Sequence, residues 1–166
     1  TVLTRIAEVW QSDRSGVEEQ ARALTRAVEQ RVTVHAPGQV SREVFEALCE
    51  ELSSHYDPRW GGFGGAPKFP AAQLLRVLLR HHVRTGSARA LEMVRGTLDG
   101  MKNGGMYDHL GGGLARYSTD ERWQVPHFEK MLYDNALLAR IYLEAWQVTG
   151  EQEYARIARE TLDYVE

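Results

Sequence analysis

The chain alternates between long stretches in which apolar residues recur every three or four positions and two short stretches rich in glycine. The first pattern predicts amphipathic helices, and residues 1–32 contain two such runs. A third run begins near Ser41, which could cap it, while Asp13 or Ser15 could cap the second helix. Three helices are therefore expected before the first glycine-rich stretch, with a linker over residues 32–39.

The two glycine-rich stretches, residues 56–70 and 103–113, are too rich in helix-breaking residues to be helix or central strand. Between them helical periodicity resumes with one pause, which predicts two antiparallel helices joined by a tight turn. Residues 114–124 then alternate weakly and predict a short β-hairpin. Pro126 suits the first position of a long helix that Gly150 ends, and one more helix follows. The predicted fold class is all-α with elaborate loops between the helices.

The long loops are the expected location of function. Connections between simply packed helices usually take about 2 to 8 residues, and longer ordered loops often carry binding or catalytic residues. Nine of the 15 aromatic residues lie in or beside these loops. Their rings could form a surface for a sugar, or they could only hold the loops in place.

Charge and hydropathy narrow the class of protein. The 20 basic and 23 acidic residues give a formal net charge of −3 and are mixed along the chain. Nucleic acid is therefore not an expected partner, because phosphate neutralisation requires a basic patch. No apolar stretch approaches the roughly 20 residues of a membrane-spanning helix, so no membrane is expected either.

The N-terminus and the cysteine content add two expectations. The chain begins at Thr1 without an initiator Met or a signal-peptide pattern, which indicates a cut within a longer protein. Cys49 is the single cysteine and cannot form an internal disulfide. A reduced, cytoplasmic setting is therefore expected.

Three segments carry a specific resemblance: GGFGGAPKFP at 61–70, GMYDHLGGGLARYSTD at 105–120 and WQVPHFEKMLYDNA at 123–136. They closely resemble the widespread thioredoxin-domain-containing family that includes bacterial YyaL and a vertebrate spermatogenesis-associated homologue. The resemblance implies a thioredoxin-like domain followed by an (α/α)6 toroid similar to six-hairpin glycosidases and N-acylglucosamine 2-epimerases. Residues 1–40 would be the helical linker after that absent domain, and residues 41–166 the N-terminal portion of the toroid.

The sequence departs from the full family pattern in two ways. It has no Cys-x-x-Cys, so the redox site of a thioredoxin-like domain is absent from this chain. A six-hairpin toroid also needs about twelve helices, and at a mean of about 11 to 12 residues each it needs far more chain than this. The first two or three hairpins are expected.

Candidate catalytic residues are two imidazoles and two carboxylates that could converge at one mouth of the loops: Asp108, His109, His127 and Glu129. Histidine suits proton transfer near neutral pH, and a sugar 2-epimerase needs one group to remove a proton beside a carbonyl and another to return it. A glycosidase would instead need two flanking carboxylates, drawn from Asp108, Glu129 and Asp134. Alternatively, His127 only caps or packs, and Asp108 accepts backbone N–H groups from its own turn.

Candidate substrate-binding residues are aromatic or polar side chains of the same loops: Trp60, Phe63, Lys68, Arg116, Tyr117, Trp123 and Asp134. Arg116 could hold a carboxylate, hydroxyl or enolate oxygen. Asp134 interrupts an apolar helix, so if it is buried it should accept hydrogen bonds from loop backbone, Arg116, Tyr117 or His127.

Several familiar sites do not fit the sequence. His127-Phe-Glu129 matches the H-x-E of zinc deaminases without the required P-C-x-x-C, and H-E-x-x-H is absent. Residues 61–68 lack the order of a phosphate-binding P-loop. Neighbouring His81 and His82 point about 100° apart on a helix and cannot both bind one metal. No metal or cofactor is expected.

The leading hypothesis is part of a sugar-acting toroid with epimerase- or isomerase-like proton transfer, or glycosidase-like hydrolysis. The alternative is a non-catalytic module that binds a ligand or client protein together with the thioredoxin-like domain. A third possibility is a purely structural array of helices. The chain by itself is expected to be inactive and to self-associate through exposed apolar flanks, which would include Leu138, Tyr142, Tyr154 and Leu162.

Overall fold

The computed structural model describes residues 1–32 and 41–166, and the chain divides into two compact units between residues 40 and 41. The first unit contains helices α1 (Val2–Ser12) and α2 (Arg14–Val32). Asp13 separates them, and its carboxylate accepts the Gly16 N–H at 3.0 Å. Of the two predicted caps, Asp13 is therefore the one at the N-terminus of α2, whereas the predicted linker lies outside the described residues except for Val32.

The second unit contains five helices: α3 (Arg42–His55), α4 (Ala72–Thr85), α5 (Ala88–Asn103), α6 (Leu132–Thr149) and α7 (Gln152–Val165). Two helical hairpins, α4–α5 and α6–α7, turn at Gly86 and Gly150, both at φ +74°. Glycine fits both turns because it adopts positive φ without steric cost. Across residues 1–32 and 41–166 the regular elements are all helices, so the all-α prediction is confirmed.

The predicted β-hairpin has the wrong bounds. The first arm and the turn lie within residues 114–124, but the second arm lies beyond them: residues 116–119 pair in antiparallel fashion with residues 125–129, through isolated bridges rather than strands. The turn between these arms is built on Asp120, whose carboxylate accepts the N–H groups of Arg122, Gln124 and Val125.

The same pairing explains why α6 begins at Leu132 and not at Pro126 as predicted. Backbone groups of residues 125–129 are hydrogen-bonded to the other arm. The His127 N–H donates to the Tyr117 carbonyl at 2.8 Å, and the Glu129 carbonyl accepts the Arg116 N–H at 2.8 Å. An α-helix that began at Pro126 would use the Glu129 carbonyl for its own hydrogen bonding, and extended antiparallel pairing is incompatible with a helical backbone over these residues. His127 and Glu129 therefore lie on an extended arm, not in the first turn of a helix.

The core is formed by α4 to α7 together with the inner side chains of both loops, including the fully buried Trp123. The expectation of uncovered apolar flanks is wrong for Leu138, Tyr142 and Tyr154, which are at most 1% exposed. Leu162, at 53% exposure, agrees with it. The two hairpins pack against each other and cover most of the surface that a neighbouring hairpin was expected to cover.

The two glycine-rich loops repeat one hydrogen-bonding design. In the first, the Asp57 carboxylate accepts the N–H groups two and three residues later, and its carbonyl accepts the Gly61 N–H. In the second, Asp108 makes the corresponding bonds to Leu110, Gly111 and Gly112. Each aspartate is preceded by a tyrosine, and each is followed by two glycines at positive φ, Gly61–Gly62 and Gly112–Gly113.

A lysine from later in the chain closes each loop. Lys68 Nζ donates to the other Asp57 oxygen at 2.6 Å and to the Gly61 carbonyl at 3.0 Å. Lys130 Nζ does the same to Asp108 and to the Gly112 carbonyl, both at 2.7 Å. We call these the first clasp (Asp57, Gly61, Lys68) and the second clasp (Asp108, Gly112, Lys130). Each clasp rests on a helix, since a side chain at Gly61 would collide with α5 at Gly96 and one at Gly112 with α7 at Glu160.

Candidate functional site

Three rings from the two loops form a stack on the surface of the second unit. Tyr117 lies in the middle, with its centroid 4.9 Å from that of Phe69 and 4.7 Å from that of His127. Backbone pairing sets this arrangement, because Ser118 bridges Lys68 on one side and Pro126 on the other. The residues next to each paired position then fall side by side. We call this group the aromatic stack (Phe69, Tyr117, His127).

Charged groups border the stack at His127. Arg116 donates to the Glu129 carboxylate at 3.1 Å, and this bond raises the pKa of the guanidinium. Glu129 Oε2 also lies 3.6 Å from His127 Nδ1, just beyond hydrogen-bonding distance. That nitrogen is buried and has no hydrogen-bond partner among residues 1–32 and 41–166. A small movement of Glu129 would give His127 Nδ1 a hydrogen-bond acceptor and would fix which ring nitrogen carries the proton.

Asp134 completes the site from the first turn of α6. It is half-buried and lines a hollow of about 210 Å³ with Phe69, Leu74 and Leu137. Burial raises the pKa of its carboxyl, and the nearby Arg116 charge opposes that rise. Its expected hydrogen bonds to the loops are not formed within the described part of the chain. The predicted burial is thus partly met, and the predicted acceptor role is wrong.

Asp108 has the structural role that was the alternative prediction. Hydrogen bonds from the Gly111 N–H, from Lys130 and from the Leu110 N–H hold the pKa of its carboxyl well below the usual range. A carboxylate held in this way is a poor proton donor. Its neighbour His109 is exposed, with Nε2 3.3 Å from the Gly104 carbonyl and its ring edge-on to Tyr107.

The two histidines therefore have separate surroundings. Within residues 41–166, no hydrogen bond or ring contact joins His109 to His127 or to another member of the aromatic stack. Their pairing as acid and base stays a prediction.

Four other predicted contact residues lie in the loops with different roles. Lys68 and Trp123 are fully buried, so the prediction that they touch a substrate is corrected: Lys68 closes the first clasp, and Trp123 Nε1 donates to the Trp60 carbonyl at 3.0 Å. Trp60 is half-buried, and the guanidiniums of Arg59 and Arg122 lie 5.0 and 5.5 Å from the centre of its ring. Phe63 packs edge-on against Tyr56. The Trp60–Trp123 bond also shows that the two loops meet at one end of the helices, as expected.

Two residues of the site region were missed in the sequence. Phe69 is not among the predicted substrate-binding residues, although it forms one end of the aromatic stack. Asn135 is fully buried, where its side chain accepts the Leu114 N–H at 2.7 Å and donates to the Leu114 and Met131 carbonyls. The sequence signal is the polar pair at 134–135 that interrupts an apolar helix, and Asn135, not Asp134, is its fully buried member.

Two kinds of feature are absent from the described residues: membrane-spanning helices and clusters of metal-binding side chains. None of the helices in 1–32 and 41–166 is both long and apolar enough to cross a membrane. The same ranges contain no group of three His, Cys, Asp or Glu side chains placed to hold a metal ion.

The helical hairpins with their loops at one end define the fold class, an arc of an (α/α)6 toroid. The structure matches a sugar epimerase from a ruminal bacterium with a TM-score of 0.62 and 17% identity, over 74% of this chain and 36% of that one. It matches the cellobiose 2-epimerase of Spirochaeta thermophila with a TM-score of 0.60 and 22% identity, over 74% and 35%. At these identities the likeness establishes the fold alone.

In sequence the chain is similar to spermatogenesis-associated protein 20. It is 39% identical to the Mus musculus and Homo sapiens proteins over 173 residues, which is 99% of this chain and 22% of each relative. An uncharacterized protein of Caenorhabditis elegans is 34% identical over 155 residues, covering 90% of this chain and 21% of that protein. The chain thus spans about a fifth of the length of these relatives. It matches no protein-family model.

Proposed function

We propose that this chain is part of a sugar-acting toroid and that the aromatic stack with its charged border binds a sugar-like ring. One observation carries the proposal: a half-exposed imidazole is stacked on an aromatic ring, with a carboxylate 3.6 Å from its buried nitrogen and a guanidinium on that carboxylate. Aromatic rings pack well against the apolar face of a sugar, and imidazole is the side chain best suited to move protons near neutral pH.

The proposed reaction class is proton transfer of the epimerase or isomerase kind. His127 removes the proton beside a carbonyl, Glu129 stabilises the imidazolium that results, and Arg116 donates to the oxygen on which negative charge develops. Asp134 lines the adjacent hollow, and burial raises the pKa of its carboxyl, which favours the protonated form that could return a proton.

Glycoside hydrolysis is the weaker alternative for this geometry. It requires one protonated carboxyl and a second carboxylate on either side of the bond that breaks. Asp108 is held ionised by the second clasp, and Glu129 is bound to Arg116. Two of the three candidate carboxylates therefore already have a cationic partner, whereas His127 Nδ1 has no hydrogen-bond partner within residues 1–32 and 41–166.

A saturation-transfer NMR experiment in D2O tests the proposal on the 166-residue chain. The panel contains cellobiose, glucose and N-acetylglucosamine, and the same spectra record whether the proton at sugar C2 is replaced by deuterium. We expect saturation transfer from the chain to at least one sugar and its loss in Tyr117→Ala. Any slow C2 exchange should disappear in His127→Gln.

The matched control is His55→Gln, since His55 is exposed on α3 and, among residues 1–32 and 41–166, its ring is hydrogen-bonded only to Ser54 and to the Glu51 carbonyl of the same helix. This variant should behave like the parent chain. The proposal is wrong if no sugar receives saturation, or if His55→Gln and Tyr117→Ala reduce the transfer equally.

A second candidate function is a non-catalytic module that presents a ligand or client protein, with a thioredoxin-like domain of the same longer chain as its partner. The exposure of Phe128 at 90% and of Leu132 at 69% beside the aromatic stack favours it. Large exposed apolar side chains that cluster are typical of protein-binding surfaces. Binding of an apolar peptide that is lost in Phe128→Ser, with no saturation transfer to any sugar, would favour this module over the sugar site.

A further inference from the structure

A second hollow lies far from the loops, between α3 and the C-terminal half of α4. It has a volume of about 180 Å³, and the charged and aromatic residues that line it are Arg42, Phe45, Glu46, Arg80, His81 and Arg84. Arg80 and Arg84 are 8 and 12 residues after the first residue of α4. At 1.5 Å per residue they lie about 12 and 18 Å along the helix from the end that carries the aromatic stack. The hollow is therefore separate from the proposed sugar site.

The three arginines of this hollow lack carboxylate partners. Within residues 41–166, no ion pair is formed by Arg42, Arg80 or Arg84, and Arg84 only lies 5.9 Å from the centre of the Phe45 ring. Most other arginines of the second unit are paired with a carboxylate: Arg76, Arg89, Arg95, Arg116, Arg140 and Arg156. Three of the six arginines of residues 41–166 that form no ion pair therefore line this one hollow. The other three are Arg59 and Arg122 beside Trp60, and Arg159 on α7.

The charge of the hollow is strongly one-sided. Three guanidiniums face the single carboxylate of Glu46, and His81 adds a further positive charge whenever it is protonated. The positive charge of Arg84 is stabilised by the negative end of the α4 dipole, because Arg84 lies in the last turn of that helix. Arg42 lies in the first turn of α3, at the positive end of the α3 dipole. Nothing in the helix geometry therefore compensates Arg42, and like charges close together repel one another.

A small dianion would compensate this arrangement. Three positive charges less one negative charge leave an excess of two, which a phosphate group matches and a single carboxylate does not. The planar fork of arginine matches phosphate oxygens in pairs, and a ring beneath a guanidinium restricts its orientation. We propose that this arginine hollow (Arg42, Arg80, Arg84) binds the phosphate group of a small phosphomonoester.

An NMR titration with inorganic phosphate tests the site. The 15N-labelled chain is titrated at constant ionic strength, with chloride replacing phosphate, and the arginine Nε–H signals and the amides of α3 and α4 are followed. We expect saturable shifts confined to these residues. Arg80→Gln and Arg84→Gln should each weaken the affinity about tenfold or more, because each removes a charged hydrogen bond to the anion.

The matched control is Arg159→Gln. Arg159 is also exposed and, in the described part of the chain, forms no ion pair, but it lies on α7. This variant should bind phosphate as the parent chain does. Shifts that grow linearly without saturation, or an equal loss of affinity in Arg159→Gln, would overturn the proposal.

A second titration distinguishes a phosphomonoester from free phosphate. Glucose 6-phosphate should shift the same arginine signals at least as strongly as inorganic phosphate at equal concentration, and glucose alone should leave them unchanged. Weaker binding of the ester than of inorganic phosphate would overturn the assignment to a phosphomonoester. A shift of these signals by glucose alone would overturn the separation from the sugar site.

Discussion

At the scale of single residues, the surrounding loop holds the Asp108 carboxyl in its charged form. Its carboxylate accepts two backbone N–H groups and a lysine ammonium, and these bonds are made to the charged form. The pKa of this carboxyl is therefore low in the folded chain and about 3.9 in the unfolded chain. Such a group stabilises the fold above the unfolded-state pKa, and the stabilisation is lost as the pH falls toward the folded-state pKa.

We expect Asp108→Asn to lower the free energy of unfolding by about 1 kcal/mol at pH 7, since solvent reaches the 40% exposed side chain and weakens its interactions. The difference from the parent chain should shrink as the pH is lowered below about 4. Urea unfolding at pH 7 and at acid pH measures both values, with the exposed α7 residue Asp163 changed to Asn as the control. A difference that stays constant with pH would contradict this account.

Two adjacent residues of α6, Asp134 and Asn135, are expected to differ in how much they contribute to stability. Asn135→Ala should destabilise the chain by about 1 to 3 kcal/mol for each buried backbone group of Leu114 left without a partner. Asp134→Asn should change stability by no more than about 0.5 kcal/mol at pH 7, and in the stabilising direction, because burial disfavours the charged carboxylate. Thermal unfolding of both variants measures the contrast.

The small increase in the free energy of unfolding caused by Asp134→Asn should depend on pH. A carboxyl whose pKa is raised in the folded chain destabilises the fold at neutral pH, and this effect disappears below the unfolded-state pKa of about 3.9. The gain should therefore vanish in acid. A marked destabilisation by Asp134→Asn at pH 7 would mean that its carboxylate has a partner as important as those of Asn135.

At the scale of elements, the two clasps are copies of one design in different surroundings. The side chains of Lys68 and Asp57 are 0% and 20% exposed, whereas those of Lys130 and Asp108 are 18% and 40% exposed. Solvent screens the second pair more, so its two charges attract each other less. The design is shared, but the strength of the coupling is not.

Double-mutant cycles measure this difference. Combining Asp57→Asn with Lys68→Met should give a coupling energy of about 2 kcal/mol, and combining Asp108→Asn with Lys130→Met about 1 kcal/mol or less. Each single variant is measured beside its double variant by urea unfolding. Equal coupling in the two clasps, or stronger coupling in the second, would show that burial does not set their strength.

The elements also show what sequence patterns can and cannot predict. Helical periodicity predicted α4 and α5, and Gly86 and Gly150 stand where the hairpins turn, because these signals act over a few neighbouring residues. The start of α6 was wrong since Pro126 favours a helix locally, whereas the backbone of 125–129 pairs with residues 116–119. That register depends on how the turn at Asp120 aligns the two arms, which the weak alternation over residues 114–124 does not specify.

In the candidate site, too, contacts between residues close in sequence were predictable and contacts between distant segments were not. Arg116, Tyr117, His127 and Glu129 were predicted to share one site, and they come together because their two arms are close in sequence. Phe69 comes from the other loop and joins them only through the bridge between Lys68 and Ser118. The repeated Tyr-Asp followed by Gly-Gly, at 56–62 and 107–113, was a sequence signal that the two loops are built alike.

At the scale of the whole molecule, the distribution of exposed apolar residues determines how the chain behaves in solution. Phe128, Leu132 and Tyr133 are 90%, 69% and 52% exposed and lie close together in sequence, where α6 begins. Apolar patches of this kind commonly mediate association. The surface of the second unit is therefore suited to contact with another protein surface.

We expect the 166-residue chain to self-associate as its concentration rises, and Leu132→Ser to weaken the association. Leu110→Ser is the control, since Leu110 is fully exposed at a loop tip and does not belong to this group of residues. Sedimentation velocity over a wide concentration range measures both. A chain that stays monomeric throughout, or an equal effect of the two variants, would rule out a role for this surface.

The clasps have a chemical consequence for labelling. The chain has 3 lysines, and each is ion-paired: Lys68 and Lys130 in the clasps and Lys102 with Asp99. Acylating reagents attack only the neutral, accessible amine, and Lys68 is 0% exposed with its ammonium on a carboxylate. Modification of Lys68 therefore requires the first loop to open, so its acylation rate, followed by mass spectrometry beside that of the N-terminal amine, reports how often that loop opens.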